Sequence, residues 1–131
     1  MPDTPPLILE IMLQIEAASK TIMERFEPVT TVDDLIETPQ GREKLDAICM
    51  QLIAIGESLK KIDLLTDRKL LRRYPEIDWK GVKGIRDVIS HHYFDLDAEE
   101  IYNVCQWEMP RLVQTLRHII EDLEKNSDSV S

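Results

Sequence analysis

The middle of the chain carries an apolar stripe that a long helix would place on one side. Its members recur every three or four positions, at Leu45, Ile48, Cys49, Leu52, Ile55, Leu59 and Ile62. A strand would need alternation at every second position, so this spacing predicts an amphipathic α-helix. Thr38 followed by Pro39 is typical of an N-cap and a first helical position, and it predicts where this helix begins. The fold must therefore pack other elements against this stripe.

Two further segments show the same helical spacing. The first predicted helix follows the prolines of residues 1–6, which delay its start, and ends before Pro28. The last predicted helix begins at a capping box formed by Asp97 and Glu100, and Pro110 should kink it. Their apolar faces comprise Ile8, Ile11, Met12, Ile15, Ala18, Ile22 and Phe26 in the first and Ile101, Val104, Cys105, Met109, Leu112, Leu116, Ile119 and Leu123 in the last.

A shorter helix is predicted from Trp79 to about His92. It follows a connection at residues 66–78, in which Tyr74-Pro75 predicts a break. The sequence contains neither an alternating pattern that would predict a strand nor an internal repeat. The pattern therefore predicts an all-α protein, an up-and-down bundle of four or five helices.

Length and composition place the chain among single-domain proteins. It has 131 residues, and we expect one helical domain over residues 1–131 with flexible ends at 1–6 and 126–131. No apolar run reaches the roughly 20 residues of a membrane helix, and the first residues lack the basic start of a signal peptide. Cys49 and Cys105 should be buried thiols, because neither has a cysteine or histidine at metal-ligand spacing. We expect a cytoplasmic protein without membrane contact, metal or cofactor.

Charge is distributed unevenly along the chain. The formal net charge of −9 argues against binding of nucleic acid over the whole surface. From Lys60 to Arg86, however, nine basic residues outnumber four acidic ones, so this segment carries +5 and the remainder −14. An ordinary solvated face explains the segment as well as a surface for an anionic substrate does.

Side chains that can handle phosphate gather at the end of the short predicted helix. Arg86, His91 and Tyr93 lie close together, and a permanent guanidinium charge near an imidazole that titrates near neutrality suits phosphate chemistry. On an ideal helix His91 lies about 140° round from Arg86, so the two converge only if the helix loosens or the arginine reaches across. Structural roles remain open: Arg86 paired with Asp87 or Glu57, and His91 capping the helix.

Residues 86–93, RDVISHHY, match the R-x4-H-x-Y motif of the HEPN superfamily and resemble most closely its HepT-like branch. Further segments that resemble this branch are 54–57 (its Ile-Gly-Glu signature), 77–79, 93–97 and Met109-Pro110. The similarity extends over about residues 7–124. One departure is Asp87, where many relatives have asparagine. Gly56, within the signature, lies in a helix interior and predicts either a close approach of a second helix or a backbone near the site.

The resemblance implies metal-independent cleavage of RNA by an endoribonuclease toxin of a toxin–antitoxin pair. Cutting a phosphodiester through the neighbouring 2′-hydroxyl needs a base, an acid and a cation on the phosphate. His91 would transfer protons, and Arg86 would stabilise the negative charge that develops on the phosphate oxygens. Members of the superfamily dimerise with their motifs at one cleft. The resemblance therefore implies a homodimer, in which a second imidazole completes the acid–base pair.

The resemblance also implies how the nuclease is silenced. In the HepT-like branch, the cognate minimal nucleotidyltransferase antitoxin transfers AMP to the motif tyrosine, which is Tyr93 here. A bulky anion beside Arg86 would block substrate phosphates by its size and charge. The alternative is a tyrosine that only closes the bundle. Glu57, Asp87 and His92 are candidates for supporting roles, Glu57 by orienting the arginine or the histidine and His92 by contacting substrate.

Two alternatives from other classes of protein remain open. One is a non-catalytic HEPN module that binds nucleotides or a partner and is associated with a minimal nucleotidyltransferase. The other is a helical subunit that positions substrate for a nucleotidyltransferase. The presence of both Arg86 and His91 counts against each, because a binding module does not need that pair. Trp79 and Trp107 are expected to anchor the core or a dimer, and His118 to have a structural role.

Overall fold

Helices make up the fold. The computed structural model describes residues 4–91 and 97–130, and side chains within 6–91 and 97–126. In these stretches the helices are α1 (Thr4–Phe26), α2 (Pro39–Leu65), α3 (Trp79–His91), α4 (Ala98–Asn103) and α5 (Met109–Val130). Neither stretch contains a strand. The predicted all-α class is therefore confirmed.

The bundle consists of α1, α2, α3 and α5, and the short α4 leads into α5. Helix α2 contacts both α1 and α3, and α5 returns to contact α1. The apolar stripe that the sequence predicts in α2 is buried. Helices α1, α2 and α3 are thus neighbours in chain order, as in an up-and-down bundle, and all of the helices contribute to one cluster of buried residues in the described part of the chain.

Two predicted helix starts are confirmed. The hydroxyl of Thr38 accepts a hydrogen bond from the backbone N–H of Gly41 at 3.0 Å, and Pro39 occupies the first helical position. Asp97 accepts a hydrogen bond from the backbone N–H of Glu99 at 3.0 Å, one residue earlier than the predicted capping box would place it. Each cap provides an acceptor for an N–H that has no partner within its helix.

The first and last helices extend closer to the chain ends than the sequence predicts, while the flexibility expected at 1–6 and 126–131 stays a prediction. Helix α1 already begins at Thr4, so Pro5 and Pro6 lie in its first turn. Proline is tolerated there because the first backbone N–H groups of a helix lack helical partners anyway. Helix α5 continues past Asn126 to Val130. The serine and aspartate residues of this tail disfavour a helix only slightly.

The irregularity predicted at Pro110 lies in the turn before it. Residues Val104–Glu108 form a π turn between α4 and α5. A proline removes the hydrogen bond to the carbonyl four residues earlier, here that of Gln106, and its ring crowds that carbonyl. The π turn includes Gln106, the residue whose carbonyl loses this hydrogen bond.

The cysteines and tryptophans divide between the core and the surface. Cys49 and Cys105 are buried free thiols, as predicted. Burial raises the pKa of Cys49 to about 11 and that of Cys105 to about 12, so both stay protonated near neutrality. Trp79 is buried, whereas 65% of Trp107 is exposed, so only Trp79 belongs to the core. No described helix is both long and apolar enough to span a bilayer.

Candidate active site

The candidate site is built where α2 and α3 cross at Gly56. A Cβ atom added to Gly56 would lie 3.3 Å from the carbonyl oxygen of Lys83, 3.5 Å from that of Val82 and 3.5 Å from the Cβ of Arg86. Any larger residue would press against the backbone of α3. The close approach of a second helix, one of the two reasons that the sequence offers for Gly56, is therefore observed.

Arg86 lies between two carboxylates. Its Nε is 2.8 Å from Oε1 of Glu57 on α2, and its Nη1 is 3.2 Å from Oδ1 of Asp87 on α3. The two alternative pairings that the sequence offers for a structural role of Arg86 are thus both present. Among the described residues, these contacts use two of the five N–H donors of a guanidinium. Because 42% of the Arg86 side chain is exposed, the guanidinium is oriented and still accessible.

His91 is exposed and is the last residue of α3. It lies five positions after Arg86, about 7.5 Å further along the helix and about 140° round it. The helix stays regular from Arg86 to His91, so it does not loosen to bring the two side chains together. Asp87 is one turn before His91, at the i, i+4 spacing of neighbouring side chains. On the helix surface, Asp87 therefore lies between the arginine and the histidine.

His92 and Tyr93 lie outside the described residues. The predicted contact of His92 with substrate and the predicted transfer of AMP to Tyr93 therefore stay predictions. His118, for which the sequence predicts a structural role, is exposed on α5.

Sequence reasoning missed a second ion pair across the same two helices. Lys83 on α3 contacts Asp63 on α2, and the side chains of Lys83 and Asp63 are 25% and 12% exposed. The partners are 20 positions apart, so no local spacing pairs them. The sequence does place an acid, Asp63, directly after Ile62 on the apolar stripe of α2. An acid at such a position is expected to be buried, and because a buried carboxylate nearly always has a partner, Asp63 could have indicated an ion pair.

The outer face of α3 carries Lys80, Gly84, Asp87 and His91. Their spacings of four, three and four positions place them on one side of the helix. Lys80, Asp87 and His91 are exposed, and Gly84 is half-buried. A Cβ atom added to Gly84 would meet no atom within 4 Å. Unlike Gly56, this glycine is therefore not required by the packing of the protein.

A cavity of about 450 Å³ lies beside this face, between α3 and the segment from α4 to α5, and Gly84 is one of its lining residues. Apolar side chains such as Ile85, Val88 and Met109 line most of it, together with three carboxylate residues. Its lining includes neither Arg86 nor His91. The cavity is therefore separate from the candidate active site.

The site offers a guanidinium, two carboxylates and an imidazole. A guanidinium binds phosphate through parallel N–H donors, and an imidazole can accept or donate a proton near neutral pH. Within the described stretches, no group of three or more His, Cys, Asp or Glu side chains is arranged to hold a metal ion. The chemistry that these side chains can supply themselves is proton transfer and charge stabilisation at a phosphate.

Comparisons with known proteins identify the family. The family described as Ribonuclease HepT-like matches residues 8–119. Putative RNase MJ0127 of Methanocaldococcus jannaschii is 29% identical over 99 residues, which cover 76% of each chain. Putative RNase TTE0752 of Caldanaerobacter subterraneus is 25% identical over 118 residues, 90% of this chain and 96% of the relative. No solved structure matches significantly. The chain belongs to the HepT-like ribonuclease family, and the resemblance seen in residues 86–93 is confirmed.

Proposed function

We propose that this chain is an endoribonuclease that cleaves RNA without a metal ion, with Arg86 and His91 at the reacting phosphate. One observation carries the proposal: Glu57 and Asp87 orient the Arg86 guanidinium while 42% of its side chain stays exposed. Membership of the HepT-like ribonuclease family supports RNA as the substrate. The names of the relatives, which call them RNases, support it as well.

In the proposed reaction the 2′-oxygen attacks phosphorus as the bond to the 5′-oxygen breaks. The products are a 2′,3′-cyclic phosphate and a free 5′-hydroxyl. The guanidinium of Arg86 binds the non-bridging oxygens, whose negative charge grows in the transition state. His91 either removes the proton of the 2′-hydroxyl or protonates the departing 5′-oxygen. One imidazole does not carry out both transfers in a single step.

We further propose that the active form is a homodimer. On the regular helix α3, Arg86 and His91 of one chain are about 140° apart, which makes a shared phosphate difficult to reach from one chain. A two-fold related copy supplies a second arginine and a second imidazole to the same cleft. One imidazole then acts as the base and the other as the acid.

In this proposal the protein partner is a cognate minimal nucleotidyltransferase antitoxin in the same cytoplasm. The hydroxyl of Tyr93 attacks the α-phosphorus of ATP, AMP becomes attached to the tyrosine, and pyrophosphate leaves. The attached AMP carries a phosphodiester anion close in the chain to Arg86, where it competes with RNA. Tyr93→Phe should remain an active ribonuclease that the antitoxin no longer silences, and intact mass should show no added AMP. Silencing of this variant together with an added AMP would contradict the role of Tyr93.

RNA cleavage by the purified protein tests the proposal. In EDTA, the wild-type chain should cleave single-stranded RNA and leave a 2′,3′-cyclic phosphate. Arg86→Ala and His91→Ala should lose cleavage but keep the circular dichroism and light-scattering mass of the wild type. His118→Ala is the matched control, because this exposed histidine lies on α5 and outside the candidate site.

Two results would count against the proposal. Cleavage at the wild-type rate by Arg86→Ala or His91→Ala would show that the residue is not catalytic. The absence of cleavage by a wild-type dimer with unmodified Tyr93 would favour the non-catalytic module that binds nucleotides or a partner.

A further inference from the structure

The basic residues of the segment 60–86 gather at one end of the α2–α3 pair. Helix α2 ends at Leu65 and α3 begins at Trp79, so the connection between them lies at that end. We call its exposed basic residues the basic end: Lys61, Arg68, Lys69, Arg72, Arg73 and Lys80. Among the residues that the structure describes, none of these six forms an ion pair with a carboxylate.

The positive charge of the basic end exceeds the negative charge around it. Between Lys61 and Lys80 the exposed acids are Asp67, Glu76 and Asp78, three against six, which leaves a net charge of +3. From α5, Asp122 binds the Tyr74 hydroxyl and Arg111 binds the Glu76 carbonyl, one charge of each sign, so the net charge stays +3. Lys83 belongs to the same stretch of sequence, but Asp63 binds it and both are largely buried. Like charges that remain unpaired repel one another, so this surface favours an anionic ligand.

The backbone of the connection is ordered by its own contacts. Leu70 and Leu71 are buried in the core, which anchors the basic residues on either side of them. Asp67 and Arg68 both have positive φ, at 53° and 61°, and the backbone N–H of Arg68 donates to the carbonyl of Asp63 at 2.8 Å. The basic end is therefore presented on a defined turn, and a ligand does not have to order it.

The outer face of α3 joins the basic end to the candidate active site. It runs from Lys80 past Gly84 and Asp87 to His91. Asp87 is the acid on this face, and its charge is offset by Arg86 at 3.2 Å. Glycine disfavours a helix interior, and no contact of the protein requires one at position 84. Gly84 also lines the edge of the cavity between α3 and the segment from α4 to α5, and the open space at this glycine lets a ligand lie against the helix backbone.

We propose that the RNA backbone follows this face, from the scissile phosphate at Arg86 and His91, over Gly84, to Lys80 and the basic end. The inference rests on the proposed ribonuclease function and adds to it a binding surface for the nucleotides beside the cut bond. Phosphate contacts of this kind position a strand without reading its bases. The surface therefore provides affinity for longer RNA without a sequence preference.

Binding of single-stranded RNA by two matched double variants tests the surface. Both are made in His91→Ala protein, so that the RNA stays intact: Lys69→Ala/Lys80→Ala in the surface and Lys20→Ala/Arg42→Ala outside it, since Arg42 lies at the opposite end of α2. All four side chains are exposed and each carries one positive charge, so the change in net charge is the same. Removing two phosphate contacts should weaken binding and reduce the slope of log K against log salt by about 1.4, at about 0.7 per contact for single strands. The second pair should change neither.

A substitution at Gly84 tests the route along α3. Gly84→Ala should raise the melting temperature, because alanine favours the helix and meets no atom within 4 Å. It should nevertheless weaken RNA binding, because the methyl group occupies the space of the strand. A glycine with a purely structural role would not separate stability from binding in this way. Wild-type affinity in Gly84→Ala would overturn the route over this residue.

The results distinguish this inference from the proposed function. Equal RNA affinities of the two double variants would overturn the inference even if the wild-type protein cleaves RNA. A selective loss in Lys69→Ala/Lys80→Ala would support the surface even if the wild-type protein does not cleave, in which case the proposed catalysis is what fails. In an active enzyme, the preference in kcat/KM for a long RNA over a dinucleotide should shrink in the first double variant only.

Discussion

Glu57 and Arg86 connect α2 to α3 beside the glycine at which the two helices cross, with 2.8 Å between Oε1 and Nε. The side chains are 50% and 42% exposed. An exposed ion pair of this kind contributes only about 0–1 kcal/mol to the free energy of folding. We therefore infer that the pair matters for the orientation of the guanidinium more than for stability.

Glu57→Gln should disturb the orientation of the Arg86 guanidinium and slow RNA cleavage while leaving the stability of the fold almost unchanged. The amide keeps the size of the side chain but removes the charge that holds Nε. We expect the melting temperature to change little and the rate of RNA cleavage to fall by up to about 100-fold, because small displacements of a catalytic group are costly. Glu43→Gln, at another exposed glutamate of α2, is the control. Equal cleavage rates in the two variants would contradict a positioning role for Glu57.

Gly56→Ala should destabilise the protein. The added Cβ would lie 3.3 Å from the carbonyl oxygen of Lys83, which belongs to the α3 backbone and cannot rotate away. Overpacking of this kind costs about 1–3 kcal/mol, and the better helix propensity of alanine returns about 1 kcal/mol. Urea denaturation should show a net loss, whereas Gly84→Ala should show a gain. Similar gains in both variants would mean that the crossing is not tight.

Lys83→Met should destabilise the protein more strongly. It leaves the largely buried Asp63 carboxylate without its partner, and loss of one member of a buried pair costs about 3–5 kcal/mol. The double variant Lys83→Met/Asp63→Leu should recover most of this loss, because no buried charge then remains. A single variant within about 1 kcal/mol of the wild type by urea denaturation would show that water solvates Asp63 well.

Tyr74 should make stability depend on alkaline pH. Burial, and next the hydrogen bond that its hydroxyl donates to Asp122 at 2.6 Å, raise the pKa of Tyr74 from 10.0 to about 12. Because the folded pKa lies above the unfolded one, the stabilisation is complete below pH 10 and is lost as the pH rises towards 12. Tyr74→Phe should be less stable near neutrality by about 1 kcal/mol, and this difference should vanish across that window.

The two cysteines do not affect the stability difference between wild type and Tyr74→Phe. Both thiols ionise in the same pH range, but they are present in wild type and variant alike. Their effect cancels when the two denaturation curves are subtracted at each pH. A difference between wild type and Tyr74→Phe that stays constant up to pH 12 would contradict the raised pKa of Tyr74.

The sequence predicted the parts of the fold that depend on local physics. The stripe of α2 and its Thr38 cap were predicted because periodicity and capping act over one or two turns. An irregularity caused by Pro110 was predicted, but not its form, a π turn at Val104–Glu108, which includes the carbonyl four positions before the proline. The start at Thr4 was missed because prolines were treated as helix breakers, although the first turn accepts them.

The candidate site could be predicted less completely. The pairing of Arg86 with Asp87 was predicted because the two are adjacent in the sequence. Its pairing with Glu57 was predicted because α2 and α3 were expected to pack together. The pair of Lys83 and Asp63 was missed, because only the packed structure sets which residues of two helices meet. The sequence also did not show whether packing requires glycine at position 84. Only the structure shows that Gly56 has a neighbour that requires glycine and that Gly84 has none.

The unequal burial of the two tryptophans gives this protein two natural fluorescent reporters. Trp79 opens α3, the helix that carries Arg86, and its indole N–H donates to the carbonyl of Tyr74 at 2.9 Å. Trp107 lies in the π turn with 65% of its surface in water. Iodide should quench the emission of Trp107 and spare that of Trp79. The emission of Trp79, which iodide does not quench and which lies at shorter wavelength, then reports the binding of RNA to α3 in unlabelled protein. The quenched emission of Trp107 reports changes at the π turn.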